Sequence, residues 1–279
     1  MASIETASGQ RIFYDDQGSG PALLLIAGRI VSRRGWELQL PTFAEHFRTL
    51  TIDNRDAGES DPATADYRVS DLAADCVTLL DALGIERANI LGHSMGSGIA
   101  ARLVVDYPER VARLILASGA LFGPPVPGSP PPSFPHADWI EDPVERRRLR
   151  AVLSAAHAYF EAHPERHALV TEQERGNRIT YEGVNRQARA MVDYPTRAQL
   201  AAIEKPTLVI HGDQDGLIAL ERGRELATSI PGAHLLILPG VGHSPHIERT
   251  AEFDRAILDF LAGRVVGEPS EGGSRKVSA

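Results

Sequence analysis

The residues that flank Ser94 suit it to act as a nucleophile in covalent chemistry. Ser94 is the centre of a Gly-x-Ser-x-Gly segment, residues 92–96, which follows a short apolar run (89–91) and precedes a helix-like segment (99–107). A chain that passes from strand to helix within one residue strains the serine backbone and requires glycine two residues to either side. The motif alone is weak evidence, and the flanking strand and helix strengthen it. The pattern predicts a nucleophilic serine just past the end of a strand.

Later segments supply the partners that a serine nucleophile needs, namely a base for its hydroxyl proton and a buried carboxylate that holds the base in the right tautomer. Asp213 and Asp215 follow a strand-like run (207–210), and His243 follows another (235–238). The chain order serine, aspartate, histidine matches one known scaffold and differs from the two protease folds with the same triad. The spacing indicates a Ser-Asp-His triad in which two aspartates compete for the acid position.

Strand-like runs alternate with helical patterns along most of the chain. The predicted strands are residues 22–26, 49–52, 89–91, 114–117, 207–211 and 235–238, with an edge strand at 11–16. The predicted helices are residues 36–47, 70–83, 219–229 and 250–261. This alternation predicts an α/β fold whose mostly parallel sheet has helices on both faces and is mixed at one edge.

The alternation stops between residues 120 and 204. A segment rich in proline and glycine (123–132) is followed by an Arg- and Ala-rich helical pattern from 143 to about 193. Long insertions in compact domains are usually functional, and this one would lie over the carboxyl edge of the sheet. We predict a core domain of residues 1–119 and 205–265, a helical cap of 120–204 and a disordered tail of 266–279. The alternative for the insertion is a helical decoration without a role.

The composition excludes several classes of partner. The formal net charge of −8, without a long basic run, argues against nucleic acid and anionic membrane surfaces. Apolar runs such as 22–27 are too short to span a bilayer, and residues 1–20 lack a signal-peptide pattern. Cys76, the single cysteine, rules out an internal disulfide and falls on the apolar stripe of a helix. We expect a cytoplasmic protein, and the sequence is compatible with a homo-oligomer.

These motifs together resemble the α/β-hydrolase family over residues 12–261. Besides the serine segment, the resemblance rests on a Gly-Asp-x-Asp turn (212–215), a Gly-x-Gly-His turn (240–243) and a loop (53–62) similar to the one after the family's fourth strand. It implies that Ser94 is the nucleophile, His243 the base and Asp215 the carboxylate. Asp215 is preferred because the family's acid is followed after two residues by an apolar position, here Ile218, whereas Asp213 is expected to cap the turn.

The resemblance also implies where an oxyanion would bind. Such a hole needs two backbone donors, and the N–H of Met95 at the start of a helix is one. The family takes the second donor from a His-Gly-x loop after its third strand, which in this chain reads Ala27, Gly28, Arg29. The second donor would therefore be the N–H of Arg29. Alanine in place of the usual histidine leaves this main-chain donor unchanged.

Other polar residues near these motifs have plainer interpretations. Arg29, Arg33 and Arg34 are expected to be solvated loop charges, with attraction of an anionic substrate as the alternative. His93 is expected to be structural or to line the pocket, and His246 to face solvent. Some aromatic and histidine residues of the insertion should line an acyl pocket, although most should only pack: His157, Tyr159, Phe160, His163, His167, Tyr181 and Tyr194.

The resemblance implies a serine hydrolase that cleaves a carboxylic ester or lactone through an acyl-enzyme, with neither a cofactor nor a metal. Serine at position 94 argues against the relatives that use aspartate there, the haloalkane dehalogenases and epoxide hydrolases. Three alternatives remain. A carbon–carbon bond hydrolase usually has a longer Gly-rich oxyanion loop, a cofactor-free perhydrolase generally lacks such an insertion, and a non-catalytic ligand-binding module would not need an intact triad.

Overall fold

The computed structural model describes residues 2–120, 159–173 and 176–269. Within these residues, nine strands form one sheet in the order β1-β2-β4-β3-β5-β6-β7-β8-β9. The strands are β1 (Ala2–Glu5), β2 (Arg11–Gln17), β3 (Ala22–Ile26), β4 (Arg48–Ile52), β5 (Ala88–His93), β6 (Val111–Ala117), β7 (Thr207–Gly212), β8 (His234–Leu238) and β9 (Glu268–Pro269). Neighbours from β4 to β8 are parallel, while β1, β2 and β9 pair antiparallel. The predicted fold class is confirmed.

Helices cover both faces of the sheet. They are α1 (Leu40–Ala44), α2 (Val69–Ala82), α3 (Met95–Asp106), α4 (Pro164–Gln173), α5 (Tyr181–Ala190), α6 (Arg197–Leu200), α7 (Leu220–Ser229), α8 (Pro245–Glu248) and α9 (Thr250–Leu261). Leu24 and Ile26 of β3 belong to a core cluster that includes α2, α3 and α7, whereas Leu23 and Leu25 belong to a second cluster with α1 and α9. Alternate residues of one strand thus serve two separate cores. None of the helices in the described segments combines the length and apolarity of a membrane span.

The predicted helix 36–47 is wrong in its extent. Arg33–Trp36 forms a 3-10 turn, and α1 begins only at Leu40. Pro41 lies in the first turn of α1, where its missing N–H leaves no helical hydrogen bond unmade. The proline therefore marks a helix start, which an apolar pattern extending across it does not reveal.

The end of the core also differs from expectation. Residues 268–269, assigned to a disordered tail, form β9 and pair with Leu235 and His234 of β8. Gly267 makes this pairing possible, because it has a φ of +76° and a Cβ there would stand 2.4 Å from the carbonyl oxygen of Leu235. Residues 121–158, which are nearly half of the predicted cap, and residues 270–279 lie outside the described residues.

Arg33 is buried, contrary to the expectation of a solvated loop charge. Its side chain is 3% exposed, and its guanidinium group contacts three carboxylates. Asp15 accepts from Nε at 2.8 Å, Glu59 accepts from Nη2 at 2.6 Å, and Asp53 accepts from Nη1. Burial is tolerated because these acids compensate the charge. The cluster fixes the segment after β3 against the end of β4.

Asp254 of α9 is a buried carboxyl group beside α1. The residue is 4% exposed, and one of its oxygens, Oδ1, is buried with no hydrogen-bond partner among the described residues. Burial raises the pKa of Asp254 to about 7, although hydrogen bonding with Gln39 and Thr42 opposes the rise. The neutral acid is therefore the form that the fold favours.

Asp254→Asn should stabilise the protein more at pH 8 than at pH 5. The folded chain keeps the Asp254 proton up to about pH 7, and the unfolded chain loses it near pH 4, so stability falls as pH rises between these values. A neutral amide removes this loss. We expect Tm to increase by roughly 3–6 °C at pH 8 in thermal unfolding. Equal changes at both pH values would contradict the assignment.

Candidate active site

Ser94 lies in a tight turn between β5 and α3. Its backbone has φ 55° and ψ −117°, an unusual conformation for a residue with a side chain. A Cβ on Gly92 would stand 2.1 Å from the carbonyl oxygen of Gly96, and a Cβ on Gly96 would stand 2.1 Å from that of Ile26. Both glycines are therefore sterically required, and the turn presents Ser94 at the carboxyl edge of the sheet.

The structure brings Ser94, Asp215 and His243 into one hydrogen-bonded chain. His243 Nε2 is 3.0 Å from Ser94 Oγ, and His243 Nδ1 is 2.8 Å from Asp215 Oδ2. Asp215 follows β7 and His243 follows β8, so neighbouring parallel strands deliver both side chains to the same edge. Both residues are 6% exposed. The geometry suits proton transfer from a serine to a histidine that a carboxylate orients.

Asp215 is held in its ionised form. Burial on its own raises the pKa of this carboxyl group, but the charge of His243 and hydrogen bonds from His211, His243 and the Ile218 N–H outweigh burial and lower it far below the ordinary value. Asp215 Oδ1 accepts from the N–H groups of Leu217 and Ile218, each at 2.9 Å. Asp213 is exposed and instead accepts from the Gly240 N–H at 2.7 Å, which ties the two turns together.

Two further residues support the triad, and the sequence analysis did not identify either of them. His211, fully buried at the end of β7, has Nε2 3.4 Å from Asp215 Oδ2 and 2.8 Å from the carbonyl oxygen of Ile218. Glu248 accepts from the N–H groups of Gly242 at 2.8 Å and Ser244 at 3.0 Å, the two residues that flank His243. The sequence does contain a signal for His211, which is a polar residue at the end of an apolar strand. It contains no signal for Glu248, because the partners of Glu248 are main-chain N–H groups.

His93 and His246 form a buried histidine cluster beside His243. The ring of His93 lies 5.0 Å from that of His243 and 4.4 Å from that of His246, and His246 lies 5.0 Å from Trp36. The expectation that His246 faces solvent is wrong: it is 5% exposed, because the single turn α8 packs inward against Trp36. Burial lowers the pKa of His93 to about 3, and burial with the nearby histidines also lowers that of His246. Both rings are neutral at physiological pH.

The two residues expected to donate to an oxyanion lie on either side of the nucleophile. Met95 is the first residue of α3, and Arg29 follows Gly28, where a Cβ would stand 3.2 Å from Ser94 Cβ. Tyr194 of the insertion donates its hydroxyl to the carbonyl oxygen of Met95 at 3.1 Å. The side chains of Arg29 and Arg34 are partly buried.

Other insertion residues that were candidates for the pocket pack against the core. Tyr159 donates its hydroxyl to the carbonyl oxygen of Ile247 at 3.2 Å, and Phe160 is buried against Ile247. Their rings also contact His163 and His167. His157 and the side chain of Tyr181 lie outside the described residues. The described contacts therefore attach the insertion to α8, next to the His243 turn.

Comparison with known proteins identifies the family. The sequence model described as alpha/beta hydrolase fold matches residues 21–250, and the chain belongs to this family. The chain is 32% identical to a 2-hydroxymuconate semialdehyde hydrolase of Pseudomonas sp. (strain CF600), with 92% of each sequence covered.

Two solved structures extend the comparison. An N-acyl homoserine lactone degrading enzyme is 27% identical, with a TM-score of 0.79 and 95% and 100% of the two chains covered. An enol-lactonase from Burkholderia xenovorans LB400 is 25% identical, with a TM-score of 0.79 and 94% and 100% covered. These matches support hydrolase activity on a small molecule.

Asp215→Asn should lower kcat by roughly 10³- to 10⁴-fold, because an amide in place of the carboxylate favours the wrong tautomer of His243. Asp213→Asn is the matched control and should keep kcat within about threefold of the wild-type value, since its Oδ1 can still accept from Gly240. Steady-state kinetics of both variants make the comparison. If only the Asp213 variant lost activity, the assignment of Asp215 as the acid would be wrong.

His93→Gln should reduce the acid sensitivity of the fold. Below about pH 6.5 the unfolded chain binds a proton at His93, whereas the folded chain binds it only near pH 3, so stability falls as the pH decreases across this window. Glutamine keeps a donor for the His243 carbonyl oxygen, which His93 Nε2 contacts at 2.8 Å. Urea unfolding at pH 7.5 and pH 5 should show a smaller loss of unfolding free energy in the variant. The same loss in both proteins would refute this account.

Proposed function

We propose that the chain is a serine hydrolase that cleaves a carboxylic ester or lactone through an acyl-enzyme. The observation that carries this proposal is the hydrogen-bonded chain from Ser94 Oγ through His243 to Asp215. The strained turn at Ser94 and the ionised state of Asp215 support it, because both are expected of a nucleophile and of the group that orients its base.

The reaction would begin with attack of Ser94 Oγ on the carbonyl carbon, while His243 Nε2 takes the hydroxyl proton. The carbonyl oxygen becomes an oxyanion that accepts hydrogen bonds from the N–H groups of Arg29 and Met95. Asp215 stabilises the imidazolium without taking a proton itself. Collapse of the tetrahedral intermediate breaks the ester C–O bond, and His243 gives its proton to the leaving alkoxide.

Water would then repeat the same steps on the acyl-enzyme. His243 removes a proton from the water as the water attacks the acyl carbon. Collapse of the second tetrahedral intermediate breaks the bond between the acyl carbon and Ser94 Oγ and releases the carboxylic acid, while His243 returns its proton to Ser94. The neutral state of His93 and His246 matters here, because a charged imidazolium beside His243 would oppose protonation of the base. The Met95 N–H lies at the start of α3, where the helix dipole favours negative charge.

A second candidate is hydrolysis of a carbon–carbon bond next to a ketone by the same triad. The 32% identity to a 2-hydroxymuconate semialdehyde hydrolase favours it. The short loop at Gly28 and Arg29 favours the ester or lactone, since it lacks the additional glycines expected of the carbon–carbon bond hydrolases. The two solved structures, of an N-acyl homoserine lactone degrading enzyme and of an enol-lactonase, agree with this preference.

Ser94→Ala should abolish hydrolysis, with a loss of several orders of magnitude in kcat and an unchanged fold by circular dichroism. A serine-directed phosphonate should label the wild-type protein and leave the variant unlabelled. Ser3→Ala, on the exposed edge strand β1, is the control and should label normally. A variant with a tenth of the wild-type activity would contradict the role of Ser94.

The substrate class can be tested on one panel: p-nitrophenyl esters of increasing acyl length, several lactones, and a 2-hydroxy-6-oxodienoate from aromatic ring cleavage. We expect kcat/KM to be higher for esters or lactones than for the ring-cleavage product. Efficient turnover of the ring-cleavage product alone would replace the proposal with the second candidate.

A further inference from the structure

Ile30, the residue after Arg29, has a backbone conformation that its side chain disfavours. Its φ is +63°, in the left-handed region, and the residue is β-branched and 3% exposed. The Val31 N–H points to the carbonyl oxygen of Gly28 at 3.4 Å, so residues 28–31 form a turn with Ile30 at its third position. Positive φ at that position is the mark of a type II turn, which normally has glycine or asparagine there. Something outside the loop must stabilise this turn.

Gln187 of α5 binds the central peptide of this turn. Its Oε1 accepts from the Ile30 N–H at 2.8 Å, and its Nε2 donates to the carbonyl oxygen of Arg55 at 2.9 Å. A main-chain N–H can only donate and a carbonyl oxygen can only accept, so both ends of the amide have matching partners. Gln187 is fully buried. It therefore connects the turn to the loop after β4.

Asn177 makes the same kind of bridge from the other side of Ile30. Its Nδ2 donates to the Ile30 carbonyl oxygen at 3.0 Å, and its Oδ1 accepts from the Gly58 N–H at 2.7 Å. Both main-chain polar groups of Ile30 are thus bound by side chains of the insertion. Each amide also anchors itself on the loop after β4.

Helix α5 is itself fixed to that loop. Arg186 forms a buried two-bond ion pair with Asp56, at 3.0 and 2.7 Å, one residue before Gln187. Gly183 also packs tightly there, since a Cβ at this position would stand 2.7 Å from Asp56 Cβ. Gln187 consequently extends from a well-anchored helix, which makes it a firm support for the turn.

We propose that Gln187 is a positioning residue for the oxyanion hole. Type I and type II turns differ by a flip of the central peptide, here the one between Arg29 and Ile30, and the flip reverses the direction of the Ile30 N–H. By accepting from that N–H, Gln187 selects the type II form. This peptide shares the Cα of Arg29 with the Gly28–Arg29 peptide, whose N–H is the expected donor. The inference rests on the proposed function and adds that the insertion sets the geometry of the hole.

The test compares Gln187→Leu, which removes the acceptor, with Gln187→Glu, which keeps one. In the leucine variant the turn is no longer fixed by Gln187, so an oxyanion donor should be displaced. We expect kcat to fall by roughly 10- to 100-fold, with a much smaller change in KM. Its affinity for a trifluoromethyl ketone, which forms a tetrahedral adduct with the serine, should fall by a similar factor. The glutamate variant should retain more of the kcat, and hydrogen exchange at the Ile30 amide should accelerate in the leucine variant.

Arg186→Met is the matched control, because it loosens the same helix without touching Ile30. It should lower Tm at least as much as Gln187→Leu while reducing kcat less. The inference is overturned if the Arg186 variant loses as much kcat, or if Gln187→Leu keeps wild-type kcat and inhibitor affinity. Failure of the proposed function would give a different result, because the Ser94→Ala variant would then keep the hydrolytic activity of the wild-type protein.

Discussion

The close contact between the end of β3 and the nucleophile turn is the constraint on which the site depends. Gly96 lies against the carbonyl oxygen of Ile26, and Gly28 lies against Ser94, so neither segment can move without displacing the other. Parallel pairing of Ile26 with Gly92 sets this register. A backbone conformation such as that of Ser94 costs about 1–3 kcal/mol, which the sheet and α3 must offset. The strain at Ser94 and the position of the oxyanion loop beside it are therefore consequences of one strand pairing.

The carboxyl ends of β7 and β8 determine the other half of the site. Their turns hold Asp215 and His243, and Asp213 links the turns by accepting from Gly240. The electrostatic pattern is selective: Asp215 is stabilised as an anion, whereas burial keeps His93 and His246 neutral. In the proposed reaction, the carboxylate beside His243 would stabilise the imidazolium that forms, and the uncharged rings would not oppose it. Burial alone would favour the neutral form of all three groups, so the difference comes from the His243 charge and the hydrogen-bond donors that stabilise the Asp215 anion.

The parts of this structure that the sequence predicts are those with local signals. Apolar runs of three to five residues predict the inner strands, and the glycines beside Ser94 indicate a steric requirement within the same turn. Arg33, His246 and β9 were mispredicted because their environments come from distant segments: acids on β2 and after β4, an aromatic ring after β3, and the edge of β8. Glu248 and Gln187 could not be found, since their partners are main-chain N–H groups that any residue provides.

The departure at Ala27 from the family's usual histidine has a physical explanation in these contacts. Side chains from elsewhere bind the main chain along the oxyanion loop: Asn54 donates to the Ala27 carbonyl oxygen at 3.2 Å, and the Asp53 carboxylate accepts from the Arg33 N–H at 2.6 Å. Gln187 and Asn177 hold Ile30 between these two points. Other segments thus support the backbone of the loop, and the side chain of Ala27, which is buried in the second core cluster, makes none of these hydrogen bonds. Alanine at position 27 is compatible with the loop because contacts from other segments support the backbone. The same contacts stabilise an isoleucine at a turn position that favours glycine.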